Sequence, residues 1–293
     1  MKICRYTLKS DASASPRLGL LEEGGVRDVT AVTEALPSLR WPVPIGDQLI
    51  AELPRLRPQM EALAASAPLI ARDQVRLLSP VANPGKFICG VGNWKHHGLP
   101  LGTLGFLFKM TSAQAGEGDG VQLRWLDRQT VYEAELAWVI GRECTNVSVA
   151  EAMDYVAGFT CGLDMTLTED KEFLTFCKSF DSYGVLGPAL VTPEEVGDPS
   201  ALTMKFWLNG ELKEEWSFDQ LTGNPAQLIA YASTVMTLHP GDVIFSGTPH
   251  VEPVKPGDMM TIEIPRVGRM DVPVTASPYA RRAPALEAQG VPS

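Results

Sequence analysis

Cysteine is scarce: the chain of 293 residues holds five, Cys4, Cys89, Cys144, Cys161 and Cys177, an odd number with no C-x-x-C spacing. That excludes a disulfide framework and a cysteine zinc site, and leaves most of them as small buried hydrophobes. Cys177 alone stands beside a cation, Lys178, that could lower its pKa, but no base accompanies it in the sequence. Apolar runs never approach the ~20 residues of a membrane helix. The opening Met-Lys-Ile-Cys-Arg-Tyr reads as a strand rather than a targeting segment. Runs of Lys and Arg are missing too, and 25 basic residues against 35 acidic ones give a formal charge of −10, which argues against nucleic acid as a partner. A cytoplasmic protein without membrane or nucleic-acid partners is expected.

What is present is an ordinary globular balance, 45% hydrophobic and 20% charged, in a chain long enough for one large domain plus a small appendage. Residues 1–78 read as a small N-terminal β-rich domain with a helical connector. Lys2 to Leu8 is a strand, and Arg17 to Val29 is strand-like with the turn Glu22-Glu23-Gly24-Gly25 inside it. Pro37, Pro42, Pro44, Pro54 and Pro58 fragment the next stretch and leave one helix, from about Gln59 to Ser66. Residues 79–276 are a second domain of glycine-punctuated strands, and residues 277–293, without periodicity, read as a mobile tail.

The segment Thr130 to Ile140 is rich in β-branched and aromatic residues and reads as one strand. Strand side chains alternate, so Glu133 and Glu135 share a face with Val131, Ala137 and Val139. Two carboxylates on an apolar face must be separated, protonated or bridged by a cation, and a divalent oxygen-loving ion is the simplest remedy. Taken alone, such a pair is more often a solvated edge; its flanks and its downstream partners favour the ion. Ser148-Val149-Ala150-Glu151 is a capping box opening a short helix that Gly158 stops. The strand Phe159 to Leu163 then delivers Asp164, either as a third carboxylate for the same ion or as the start of a turn.

Elsewhere, Lys86 to Gly92 is a buried strand that presents Asn93-Trp94-Lys95-His96-His97-Gly98 on a loop, with two of the four histidines. Ser179 to Pro188 reads as a loop with two glycines. Met204 to Leu208 and Leu212 to Phe218 form a hairpin around Asn209-Gly210, and Asn224-Pro225-Ala226-Gln227 opens a capped helix.

Five ordered motifs carry a resemblance. Gly92-Asn93-Trp94-Lys95-His96-His97 is similar to a G-x-N-Y-x-x-H loop, Glu133-Ala134-Glu135 to an E-x-E metal strand, and Lys178-Ser179-Phe180-Asp181 to K-S-F-D. Gly187-Pro188 comes next, and Gly241 to Pro249 is similar to G-D-V-I-x-T-G-T-P. Together they make the chain resemble the fumarylacetoacetate hydrolase family from about Pro84 to Val274. The resemblance implies an α+β, β-rich fold, a mixed β-sandwich roll, commonly homodimeric, holding Mg²⁺ or alternatively Mn²⁺ or Ca²⁺. It implies a small-molecule 2-oxo or 1,3-dicarbonyl acid as substrate. Hydrolysis of a carbon–carbon bond in an acylpyruvate leads, with decarboxylation, tautomerisation or isomerisation at the same metal site as the alternative and a catalytically degenerate metal-binding protein as the third reading.

On that resemblance Glu133, Glu135 and Asp164 hold the metal, and Lys178 sits beside the developing oxyanion. His97 is the base, with His96 as its substitute; Thr248, Gly247 and Lys109 lie on the substrate side. Three positions depart from the family pattern. Gly98-Leu99-Pro100 stands where a lid glutamate would come after the histidine, Thr168 replaces an arginine, and Val251 replaces a glycine.

Overall fold

Strand Ala134–Ile140 is buried at all seven positions, and its faces look into two different cores. Leu136, Trp138 and Ile140 pack toward Phe206, Ile262 and Val272, whereas Ala137 and Val139 join Ile50, Leu53, Leu56 and Met60. A strand covered on both sides reads as an unbroken apolar run rather than an alternation. The computed structural model describes residues 1–11, 15–168 and 174–283.

The main sheet has twelve strands. Its path runs Leu69–Ala71, Gly25–Asp28, Arg17–Glu22, Lys2–Leu8, Gly184–Val191, Val156–Asp164, Ala134–Ile140, Val243–Phe245, Phe87–Gly90 and Phe106–Lys109. Most pairs are antiparallel, but Val243–Phe245 runs parallel to Phe87–Gly90. That pair is pinned at its start by Lys86 Nζ donating to the buried Asp242 carboxylate at 2.7 Å. A five-stranded sheet, Glu211–Ser217, Thr203–Leu208, Met259–Ile264, Gly268–Arg281 and Val121–Trp125, covers one face, and three short strands, Thr166–Leu167, Thr130–Tyr132 and Glu252–Val254, form a third sheet. This is the β-rich mixed architecture expected. The hairpin at Asn209-Gly210 and the helix Pro225–Val235, with a complete Asn224/Gln227 capping box, stand where the sequence places them.

The first 78 residues share the main sheet with the rest, since Lys2 and Ile3 pair with Val191 and Leu190. At the other end the strand Gly268–Arg281 runs five residues into the segment read as a tail, and residues 284–293 lie outside the described ones.

Three local readings need correction. The N-terminal helix spans Gln48–Ser66, beginning well before Gln59 and containing both Pro54 and Pro58. Asp47 caps it, accepting from Ile50 N at 3.2 Å, and its other oxygen ties Ala82 N and Asn83 N to the same point. The prolines sit on the exposed face while Ile50, Leu53, Leu56, Met60 and Ala64 form the buried stripe. Burial of four large side chains at ~1.5–3 kcal/mol each outweighs two interior prolines at ~3 kcal/mol each. The capping box at Ser148 yields only a 3₁₀ turn, Ala152–Tyr155, and Gly158 lies inside the strand Val156–Asp164 rather than ending a helix. A Cβ on Gly158 would stand 2.5 Å from the Val191 carbonyl, so the glycine serves a close strand approach. Gly184-Val185-Leu186-Gly187-Pro188, read as loop, belongs to the fully buried strand Gly184–Val191.

The two helix effects separate by mutation. Leu56→Ala is expected to lower unfolding free energy by about 2–5 kcal/mol, and Pro58→Ala to raise it by about 1 kcal/mol or more as a helical donor returns. Urea denaturation checks both; equal losses in the two variants would mean that the stripe does not hold the helix.

Candidate active site and metal centre

Glu133 occupies the break between two strands, Thr130–Tyr132 in the small sheet and Ala134–Ile140 in the large one. The expected single strand is therefore two, because Thr130–Tyr132 pairs with Thr166–Leu167 and Glu252–Val254 while Ala134 onward pairs with the strand ending at Asp164. Register does the rest. Ala134 lies opposite Leu163, Glu135 opposite Gly162, and Asp164 N donates to the Glu133 carbonyl at 2.9 Å. One carboxylate oxygen from each of Glu133, Glu135 and Asp164 consequently falls within 4.8 Å of the others.

Two lysines enter the cluster. Lys178 Nζ donates to Glu133 Oε1 at 2.7 Å, Asp164 Oδ2 at 2.9 Å and Thr166 Oγ1 at 2.8 Å. Lys109 Nζ donates to Asp164 Oδ1 and, at 3.0 Å, to the Met165 carbonyl. Lys109 is fully enclosed, with the Asp164 carboxylate as its charged partner. Thr166 Oγ1 also donates to Glu133. Fully ionised, three carboxylates and two ammonium groups would carry −3 + 2 = −1, and a proton on Glu135 brings that to 0.

That charge is distributed unevenly. Burial works to raise the Asp164 carboxyl, yet Lys109 and Lys178 hold it below the ordinary range. Burial works against the Lys178 charge, but Asp164 and Glu133 keep its pKa well above normal. Glu135 is less well compensated: burial, then Asp164 and Glu133, push it far upward against the weaker pull of Lys178 and the Gly247 N–H. Its Oε2 accepts from Gly247 N at 2.6 Å, while its Oε1 has no partner. A buried acceptor without a donor, on a carboxyl that like charges keep protonated, is the signature of a ligand set for a hard cation. The donors are all oxygen and only three, so a divalent ion would keep positions for other oxygens.

The two remaining motifs meet beside it. Asn93 Nδ2 donates to the Gly223 carbonyl at 3.0 Å and the Ser246 carbonyl at 2.9 Å, and Trp94 Nε1 donates to the Gly247 carbonyl at 2.9 Å. Gly247 has φ +85°, and a Cβ there would lie 2.7 Å from the Gly90 carbonyl. Its N–H donates to Glu135. Thr248 Oγ1 donates to the His250 carbonyl at 2.7 Å, within its own turn. His97 stands exposed above this turn, its ring centroid 4.1 Å from that of His96. Burial and then His96 lower the His97 pKa, and a bond to the Thr248 backbone opposes them. Cys177 is entirely buried. Sequence reasoning passed over Thr166, Asn93 and Trp94 as working residues, although Thr166 lies two places after Asp164 and so on its side of the chain.

The family described as fumarylacetoacetate (FAA) hydrolase C-terminal matches residues 92–275, well over half of the chain. The chain belongs to the fumarylacetoacetate hydrolase family. It is 41% identical over 292 residues to a maleylpyruvate hydrolase of Aquipseudomonas alcaligenes, covering 94% of this chain and 99% of that one. It is 33% identical to a mitochondrial oxaloacetate tautomerase of Xenopus laevis, over 91% and 88%. Among solved structures it is similar to a maleylpyruvate hydrolase from Sphingobium sp. SYK-6 in complex with manganese(II) and pyruvate, with TM-score 0.81, 34% identity and coverage of 94% and 99%. Like others of its family, this is an enzyme, and its acidic triad suits a divalent metal. No helix among the described residues is long and apolar enough to cross a membrane.

Adding Mn²⁺ at a hundred times its dissociation constant is expected to stabilise the fold by about 2.7 kcal/mol, seen as a higher melting temperature. A raised carboxyl pKa means that the proton on Glu135 contributes stability below the unfolded value, and this is lost as pH rises; the ion must displace that proton, so its stabilisation grows with pH. Glu135→Gln should keep the metal-free fold and lose the Mn²⁺ shift, and an undiminished shift in that variant would place the ion elsewhere.

Proposed function

We propose that this protein hydrolyses an acylpyruvate-type oxo acid at a carbon–carbon bond, with Mg²⁺ or Mn²⁺ held by Glu133, Glu135 and Asp164. The observation that carries the reading is the buried triad with its unpartnered Glu135 oxygen. When bound, the ion supplies Lewis-acid stabilisation of the enolate character that develops as the bond breaks.

The chain's own groups account for the rest. A divalent ion in the place of the Glu135 proton takes the cluster from 0 to +1, which favours an anionic 2-oxo acid over a neutral ketone. Lys178, already charged and spanning Glu133 and Asp164, adds a fixed positive centre next to the place where negative charge builds. Thr248 orients the substrate carboxylate from the turn that Asn93 and Trp94 brace. His97, its pKa held down, is neutral at pH 7 and takes a proton from the attacking water. The water oxygen adds to the acyl carbon, that carbon leaves as a carboxylic acid, and the electron pair of the broken bond stays with the pyruvate fragment, which then takes up a proton. Pyruvate, present with manganese(II) in the similar Sphingobium enzyme, is what such a cleavage leaves. The 41% identity to a maleylpyruvate hydrolase over nearly the full length supports hydrolysis further.

A tautomerase or isomerase reading is second. The influences on His97 are burial, His96 and the Thr248 backbone, none of them a carboxylate that would help it activate water. The similarity to an oxaloacetate tautomerase agrees with that. A homodimer belongs to the proposal as the family's common assembly.

His97→Ala should lower kcat by about 10²–10⁴-fold while leaving the Mn²⁺ melting shift intact. Activity in the wild type should fall on the acid side, with a midpoint below the ordinary histidine value. Product analysis with an acylpyruvate and with oxaloacetate, in Mg²⁺ buffer, separates the readings: carboxylic acid plus pyruvate supports hydrolysis, and enol–keto exchange without cleavage removes it.

A further inference from the structure

Away from the acidic triad, eight buried side-chain polar atoms among the described residues lack partners of good hydrogen-bond geometry, and four of them belong to neighbouring side chains: the Tyr132 hydroxyl, both carboxylate oxygens of Glu214 and the Trp216 indole nitrogen. They form one cluster. Glu214 is 3% exposed and lies on Glu211–Ser217 directly across from Phe206. The Phe206 ring stacks on Tyr132 at 4.0 Å. Trp216, two residues beyond Glu214, shares its face of the strand. The Trp216 ring packs against Trp94 at 5.7 Å and stacks with His96 at 5.8 Å and 22°. His96 is the neighbour of His97 and one of the influences that lower its pKa. A line of contacts therefore runs from a buried carboxyl to the exposed histidines.

We propose that Glu214 is a positioning residue for the histidine loop: its carboxyl fixes the Trp216 indole, and the indole fixes His96 and through it His97. That His97 is the base rests on the function proposed above; the hold on His96 does not.

The chemistry of the cluster favours an uncharged acid. Tyr132 faces Glu214 from the strand Thr130–Tyr132, and Glu252 acts on it from Glu252–Val254. The nearby basic groups turn elsewhere: Lys213 Nζ lies 3.7 Å from Glu252, and His250 Nε2 3.3 Å from Glu252. No positive group compensates Glu214, so burial, and in smaller part Glu252, push its carboxyl up to about 8 against the pull of Tyr132 and Trp216. A neutral carboxyl has one donor and free acceptor capacity, enough to accept from the indole N–H and to exchange a bond with the Tyr132 hydroxyl. Ionisation would put an unpaired charge behind the indole and disturb the stack on which His96 rests.

The test uses the full chain and the histidine ring-proton resonances, with His96 assigned from the signal lost in His96→Gln. The wild type should show, besides the titration of His96 itself, a second step in that resonance near pH 8, and Glu214→Gln should lack it. Glu214→Gln should also melt higher than the wild type, by a margin that grows from about pH 5 to about pH 8. The reason is that a raised carboxyl contributes stability fully present below its unfolded pKa and lost as pH rises toward the folded one. In turnover, above the acid limb set by His97, wild-type kcat should fall as pH rises through about 8 while Glu214→Gln stays level there. Glu214→Leu, which cannot accept from the indole, should lose about 10- to 100-fold in kcat with KM little changed. A single-step His96 resonance in the wild type, or superimposable kcat profiles for the wild type and Glu214→Gln, overturns the proposal. If the wild type cleaves no acylpyruvate, the function proposed above falls, and the resonance and melting measurements still decide for or against Glu214.

Discussion

Like charges packed in a place without water set the terms for this protein. Glu135 and Asp164 are buried and Glu133 nearly so, with one oxygen of each inside a 4.8 Å span. Such a group persists only if cations sit among its members. Lys109 and Lys178 bond to Asp164 and Glu133, and Glu135 accepts only a single backbone N–H. The imbalance is the useful part. A cluster fully neutralised by lysines would have no reason to take up an ion, and one without them would have too much charge to stay folded.

The rest of the fold holds that arrangement still. The metal carboxylates stand at the end of strands covered by a sheet on one side and a helix on the other, where neither register nor rotamer can drift. The strand break at Glu133 matters as much as the strands. It lets two sheets share a residue, so Thr166 from the small sheet and Asp164 from the large one converge on Lys178. Asn93, Trp94 and Gly247 then tie the histidine loop to the turn that bonds Glu135.

Much of this was legible in the chain. Two glutamates two residues apart among apolar neighbours announce a charge problem, and a strand one unit downstream that ends in aspartate offers its completion. The hairpin at Asn209-Gly210 and the helix after Asn224 come from local chemistry alone. What escaped depends on tertiary contacts. Pro54 and Pro58 look like helix breakers until the buried stripe opposite them is known. Gly158 looks like a helix stop until Val191 is seen pressed against it. Lys109 cannot be assigned from its neighbours in sequence, because only the pairing of Phe106–Lys109 at the sheet edge brings it to Asp164. Glu214 reads as one more surface acid in a charged hairpin strand; its burial comes from Phe206 and Tyr132, the latter distant in sequence.

Charge arithmetic links the site to the kind of molecule it can serve. With a proton on Glu135 the ion-free cluster is neutral, and with a divalent ion in that proton's place it is +1 and attracts an oxo acid. A bound monoanion brings the total to zero, and the electron pair released when a bond to its carbonyl neighbour breaks would take it to −1 until a proton returns. In the mechanism proposed, the proton that His97 takes from water meets that electron pair, so the cycle closes at the charge with which it began. A base with a low pKa suits this role: a histidinium here would add a competing positive charge at the rim, drawing the substrate carboxylate away from the centre that must polarise it. His96, lowering its neighbour's pKa, favours a neutral His97 at the rim while the buried Lys178 holds its charge.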